Sequence, residues 1–245
     1  MAASRPPNVP DYADPALDAL KRTLVTGCHI LDHEDITDGY GHLSVRVPGA
    51  DALLTIARVS PRLAALDRLI MIDFDGNYLG GAQTPPFEWP IHARIMRARP
   101  EVQSVCHTHS VWTTLFSVLP QKLRPLTHYG TWLPPEGLPL YDAAGLVRTI
   151  EQGDALAAAL GQAPAVLLRS HGDTIIGGSI EEAVQKTIRL SLVAHHAHLT
   201  LLHEPRPRFL TAEEMDAFEA GGRDWARGWN YYVSRLPEGD SARGG

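Results

Sequence analysis

Two histidines one residue apart, His107 and His109, close the apolar run Val105-Cys106. A third, His171, follows the run Val166-Leu167-Leu168. On a strand, residues i and i+2 point to the same side, so His107 and His109 offer their imidazoles together. Three protein ligands with a fourth position open is the pattern of a catalytic metal rather than of a closed structural one. On spacing alone, a histidine pair flanking a threonine is equally well read as hydrogen-bonded structure. His171, at the end of a second run and before a glycine, turns the reading toward one divalent ion. Three imidazoles suit zinc, iron or other late divalent metals, and manganese once substrate oxygens complete the shell.

Other polar residues allow two readings each. Glu88 stands at the start of a helix, where its charge favours the dipole and caps the first amides. His92, one turn later, either hydrogen-bonds Glu88 or covers the core. Arg46 and Arg62 flank turns among the early strands, where they bind a substrate carboxylate bidentately or decorate the surface. His195, His196 and His198 fall inside a helix, where only His195 and His198 share a side, and they are read mainly as packing or subunit contact. No Gly-rich phosphate loop or dinucleotide fingerprint is present. The two cysteines, Cys28 and Cys106, make neither a disulfide framework nor a thiolate zinc site.

The elements that must position these groups are legible from pattern. Residues 1–12, rich in Pro and Ala, read as a loose arm. Asp14-Pro15 reads as N-cap and first position of a helix reaching about His33, with Leu17, Leu20, Leu24 and Leu31 at helical spacing. Strands follow at Leu43–Val47, Leu53–Ile56 and Leu69–Asp73, with Asp75-Gly76-Asn77 as a hairpin turn. A helix runs from Glu88 to Arg97, tolerating Pro90 in its first turn. Val102–His107 is a strand leading into the histidine pair, and a helix spans Ser110–Val118. Pro134–Pro139 is a loop, Gly153–Leu160 a helix, Ala165–Arg169 a buried strand and Thr174–Ile176 a short one. Ser179 and Glu182 form a capping-box pattern for a helix to about His203, and a further helix starts at Thr211. Residues 13–236 form one mixed α/β domain, and 237–245, rich in Gly and Ser, read as a flexible tail.

Composition sets outer bounds. With 28 acidic against 22 basic residues the net charge is −6, and the basic residues are scattered, which argues against nucleic acid or an anionic membrane as partner. No stretch reaches the roughly 20 apolar residues of a membrane-spanning helix, and no signal-peptide core is present, so a cytoplasmic location is expected.

Several segments together resemble the class II aldolase/adducin superfamily: Gly41-His42-Leu43-Ser44-Val45-Arg46, the Glu88 helix with His92, Val105-Cys106-His107-Thr108-His109, and Leu167-Leu168-Arg169-Ser170-His171-Gly172. Their order and spacing fit over roughly residues 15–210. The resemblance implies a three-layer α/β/α sandwich around a mixed, mostly antiparallel sheet. It implies that His107, His109 and His171 hold the metal and that Glu88 is the acid/base beside it. It also implies that Tyr129 of the His128-Tyr129 pair reaches a neighbouring subunit's site, in a homotetramer with active sites at subunit interfaces. Adducin-like members lack the metal ligands, whereas this chain retains all three.

Departures from the sugar-phosphate aldolases point to the substrate. Those enzymes carry Asn where this chain has His42, a Ser-Gly pair near Ser60-Pro61-Arg62-Leu63, and serines where Pro85, Pro86 and Phe87 stand. Without small hydroxyl residues and backbone-exposing glycine, a phosphate loses its donors. An arginine and an aromatic ring suit a planar carboxylate instead. The chain is thus similar to the branch that decarboxylates hydroxylated aromatic or pyridine dicarboxylates. His42, Ser60, Arg62 and Arg46 are the expected substrate-binding residues. The other readings are an aldolase for an unphosphorylated hydroxy-oxo acid, a non-haem iron oxygenase, and an adducin-like scaffold without metal.

Overall fold

A computed structural model describes residues 8–238. Eight strands form one sheet in the order β4-β3-β2-β1-β5-β8-β7-β6. They are β1 (His42–Arg46), β2 (Ala52–Ile56), β3 (Leu69–Asp73), β4 (Tyr78–Gly81), β5 (Ser104–Thr108), β6 (Leu140–Tyr141), β7 (Ala165–Leu168) and β8 (Gly172–Gly177). Every pairing is antiparallel except that of β6 with β7. The helices are α1 (Asp18–His33), α2 (Trp89–Ala98), α3 (Val111–Phe116), α4 (Ile150–Leu160), α5 (Ile180–His203), α6 (Ala212–Glu219) and α7 (Trp225–Val233).

Strand alternation divides the core between the two faces. Leu43, Val45, Leu54, Ile56, Met71 and Cys106 point to one side and pack with Leu24, Cys28 and Leu31 of α1 and with Ile180, Val184 and Ile188 of α5. Their neighbours Leu53, Ile70, Ile72 and Val105 point to the other, under Ile91, Ile95 and Met96 of α2 and Leu156 and Leu160 of α4. Both faces being covered, the central strands read as nearly continuous apolar runs. The result is the expected three-layer α/β/α sandwich with a mixed, mostly antiparallel sheet.

Local chemistry fixes the ends of the elements. The Asp14 carboxylate accepts from the Ala16 amide and caps a 3-10 turn, Pro15–Leu17, that feeds α1. Between β3 and β4, Asp73 Oδ1 accepts from the amides of Asp75 and Asn77 around Gly76, whose φ is +85°. At α5 the Ser179 hydroxyl accepts from the Glu182 amide, but the Glu182 carboxylate accepts from Gly178 N rather than from the cap residue. α4 and α6 carry complete capping boxes, Thr149 with Gln152 and Thr211 with Glu214.

Sequence pattern and structure differ in several places. Part of the expected loose arm, residues 1–7, lies outside the described residues. Within residues 8–12, Val9 is buried and the Tyr12 hydroxyl donates to the Leu66 carbonyl at 3.1 Å, so this stretch packs on the core. β8 starts at Gly172, two residues before the expected strand, and α3 ends at Phe116 rather than Val118. Strand β4 is the partner that the hairpin turn after Asp73 called for, whereas strand β6 and helix α7 were not anticipated. Of the expected tail, residues 239–245 lie outside the described residues.

Candidate metal centre

Two adjacent strands and two loops bring the chemistry together. His42 on β1 and His107 on β5 are register partners, and both point to the α2 side of the sheet. His109 follows at the end of β5. His171 sits in the tight connection between β7 and β8, where Ser170 adopts φ +59°, a left-handed conformation uncommon for a non-glycine residue. The Ser170 amide is held by the Ser117 hydroxyl at 2.9 Å. Gly172 then lets β8 pass close to β5, since a Cβ there would stand 2.1 Å from the Thr108 carbonyl oxygen.

Glu88 is the N-terminal boundary residue of α2, yet its carboxylate makes no cap hydrogen bond. Instead Oε1 accepts from the Val147 amide at 2.7 Å. Oε2 stands 3.6 Å from His107 Nε2 and 3.5 Å from His171 Nε2. His109 Nε2 lies 3.2 Å from His107 Nε2. One donor atom from each of Glu88, His107, His109 and His171 falls within 4.8 Å of the others.

The donor set fits a divalent cation. His107 Nδ1 is 2.8 Å from the Asp173 carbonyl oxygen, which can only accept, so Nδ1 carries the proton and the Nε2 lone pair faces the cluster. Both ring nitrogens of His171 are buried without a hydrogen-bond partner among the described residues. Orphaned buried donors and acceptors are costly. A cation shared by the converging imidazoles would satisfy the nitrogen that faces the cluster, Nε2.

Electrostatics point the same way. Burial works to raise the Glu88 carboxyl, whereas His107 and His171, when protonated toward it, hold it below the usual carboxylate range, and a cation in their midst would act in the same direction. Burial, aided by His107 and His171, pushes the His109 imidazole down to about 4, which keeps it a neutral ligand. Beyond the cluster, His42 Nδ1 is 2.6 Å from His92 Nε2, and His92 Nδ1 is 2.6 Å from Ser44 Oγ. His92 thus contacts His42 and Ser44 rather than Glu88.

The cluster opens into a cavity of about 600 Å³ whose walls include His42, Glu88, His109, His171, Ser60, Phe87, Arg58 and Arg148. Other expected substrate residues lie elsewhere. Arg46 turns away from the cavity: its guanidinium donates to the Val102 carbonyl at 3.0 Å and to those of Met96 and Arg99. Arg62 is exposed, outside the cavity lining, and pairs with Asp32 at 3.1 Å. Tyr129 lies outside the lining as well, on a short 3-10 turn with its ring 4.1 Å from that of His128. Arg58 and Arg148 were missed by sequence reasoning. The signal for Arg58 was its position immediately after the apolar β2 run, two residues ahead of Ser60.

Comparisons with known proteins agree with this fold. Residues 22–198 match the model of the class II aldolase and adducin N-terminal domain. The chain is 31% identical to a 3,4-dihydroxyphthalate decarboxylase of Arthrobacter keyseri, over 71% of this chain and 75% of that one. It is 29% identical to the 3,4-dihydroxyphthalate decarboxylase of a Terrabacter species, over 89% and 98%. Its fold superposes on an aldolase II superfamily protein from Pseudomonas syringae with a TM-score of 0.82, covering 94% and 97% of the two chains at 23% identity. The chain belongs to the class II aldolase and adducin N-terminal domain family.

Proposed function

We propose that the protein is a metal-dependent carbon–carbon lyase that decarboxylates a hydroxylated aromatic carboxylate. The observation that carries the lyase reading is the Glu88 carboxylate, held against His107 and His171 at the cavity wall. Similarity to relatives named dihydroxyphthalate decarboxylases supports carbon dioxide as the leaving fragment. His107, His109 and His171 would hold a divalent ion of the zinc, manganese or iron type. The ion would supply Lewis acidity toward an oxygen substituent of the ring.

The remaining work falls to the protein. Glu88, beside the imidazoles at the cavity wall, acts first as a base and takes the proton of the substrate's ring hydroxyl. The bond between ring carbon and carboxylate carbon then breaks, carbon dioxide leaves, and the electron pair stays on the ring. Glu88 returns its proton to that ring carbon, and the product oxygen regains a proton from solvent, so each turnover consumes one proton. His42, braced by His92 and Ser44, orients the ring. In the homotetramer that this family resemblance implies, Tyr129 of a neighbouring subunit closes the site.

The test is a panel of ortho-hydroxy aromatic acids and hydroxy-oxo acids given to metal-loaded protein, with carbon dioxide and aldehyde both measured. Metal-dependent carbon dioxide from an aromatic acid is expected. Aldehyde from an oxo acid in its place would make the protein an aldolase. Glu88→Gln should retain bound metal and lose at least about a hundredfold in kcat, the usual scale for a missing acid/base. Normal turnover by that variant would remove Glu88 from the role. A protein that binds no metal and is indifferent to chelator would support an adducin-like scaffold.

A further inference from the structure

Two arginines from distant parts of the chain meet on one aromatic ring at the solvent-exposed wall of the cavity. Arg58 follows β2 and Arg148 precedes α4. The guanidinium carbon of Arg58 lies 3.6 Å from the centroid of the Phe87 ring, and that of Arg148 lies 4.8 Å from the same centroid. All three side chains line the cavity that Glu88, His109 and His171 also line. Phe87 directly precedes Glu88, so one peptide bond ties this ring to the acid/base carboxylate.

Neither arginine pairs with an acid among the described residues. Among the described residues the Arg58 guanidinium donates only to the Pro85 carbonyl, at 3.3 Å. In contrast, Arg62, Arg94 and Arg99 are each paired with a carboxylate. Two unpaired cations converging on one ring repel each other, and the ring's negative face offsets part of that repulsion. A guanidinium lying against a ring presents its N–H fork at the edge of the plane, the geometry that meets a carboxylate bidentately. Around this pair the lining is apolar, with Ile56, Val59 and Leu146. An anion carried on a flat apolar ring matches that combination better than a hydrated phosphate on a sugar does.

We propose that Arg58 and Arg148, plated on Phe87, form a clamp for a second carboxylate that the reaction retains, making the protein selective for aromatic 1,2-dicarboxylates over monocarboxylates. The clamp is a specificity device. It rests on the lyase reading only for which carboxylate stays and which leaves.

Calorimetric titration of the zinc-loaded protein with phthalate, benzoate and inorganic phosphate tests it without turnover. Phthalate should bind at least tenfold more tightly than benzoate. In the double variant Arg58→Gln, Arg148→Gln, phthalate affinity should fall tenfold or more, while benzoate changes less than twofold and bound zinc is unchanged. Lysine at both positions, which keeps charge but not the planar fork, should recover only part of the loss. Phe87→Leu should cost severalfold by freeing both side chains. Equal phthalate and benzoate binding, an unchanged ratio in the double variant, or phosphate binding tighter than phthalate would each overturn the clamp. Phthalate selectivity lost with the arginines but no carbon dioxide from any aromatic acid would leave the clamp and remove the decarboxylase. Carbon dioxide release with an unaltered ratio would do the reverse.

Discussion

His92 is fully buried, and both of its ring nitrogens are taken, one by Ser44 and one by His42. Burial, with His107 nearby, lowers its pKa to about 3 from an ordinary value of 6.5. The folded protein therefore holds this imidazole neutral, whereas the unfolded chain protonates it below about 6.5. The resulting stability is complete above about pH 6.5 and is lost as pH falls toward 3. Urea unfolding at pH 7.5 and 5.0 should show wild-type stability falling, with this group contributing up to about 1.4 kcal/mol per pH unit below 6.5. His92→Gln should have a shallower slope, and identical slopes would show that His92 is not the group responsible. At this scale the pair His107 and His109 was legible from its i, i+2 spacing at the end of an apolar run, and His171 from its place after a second such run. The arginines were not. Whether Arg58, Arg62 or Arg148 meets the cavity depends on loop paths that no local periodicity encodes, and Arg46, at the far end of β1 from His42, is taken by the carbonyls of Met96, Arg99 and Val102.

Among the elements, the β7–β8 connection carries the tightest constraint. Ser170 at φ +59° and Gly172 at φ +153° bracket His171, and β8 passes the end of β5 with no room for a Cβ. Gly172→Ala must push against the Thr108 carbonyl, which belongs to the residue between His107 and His109. It should destabilise the fold by about 1–3 kcal/mol and weaken metal affinity more than the α6 cap variant Thr211→Ala does, at a comparable loss of about 1 kcal/mol. Unfolding curves and metal titration together check this; equal metal affinity in the two variants would sever the link between loop and site. Long patterned elements were readable because α1, α2 and α5 present apolar residues at helical spacing with signals at their starts. Helix α7 escaped because Gly221, Gly222 and Gly228 read as loop, although Asp224, which accepts from the Arg227 amide, was an available cap signal. The two-residue β6 has no pattern of its own and exists only through its parallel pairing with β7.

On the scale of the whole molecule, apolar side chains remain uncovered on neighbouring elements. Val111 and Leu115 on α3, Val118 just beyond it, and Leu199 and Leu202 on α5 are all exposed. α3 packs on α5, where the Trp112 ring stacks on that of His195 at 4.0 Å. Covering such a surface is a common reason for assembly. In the proposed homotetramer, Leu115→Glu should shift sedimentation from four chains toward fewer. Activity should fall with it if Tyr129 serves a neighbouring site. A wild-type protein sedimenting as a single chain would refute the assembly. None of the helices among the described residues is long and apolar enough to cross a membrane. The three-layer plan was expected from the family resemblance, whereas the surface left bare by α3 and α5 emerges only when their faces are placed in space.

The hydrogen bond from His107 to the Asp173 carbonyl joins two jobs that are usually separate. His107 is opposite His42 on one side and Thr174 on the other, so its ring reaches the cluster only when β1, β5 and β8 pair as they do. A slip of one residue would send that ring to the opposite face, among the apolar side chains beneath α1 and α5. Ion capture at the proposed site therefore acts as proofreading: a chain whose strands mispaired could not gather the donors, and occupancy would certify correct assembly of the sheet.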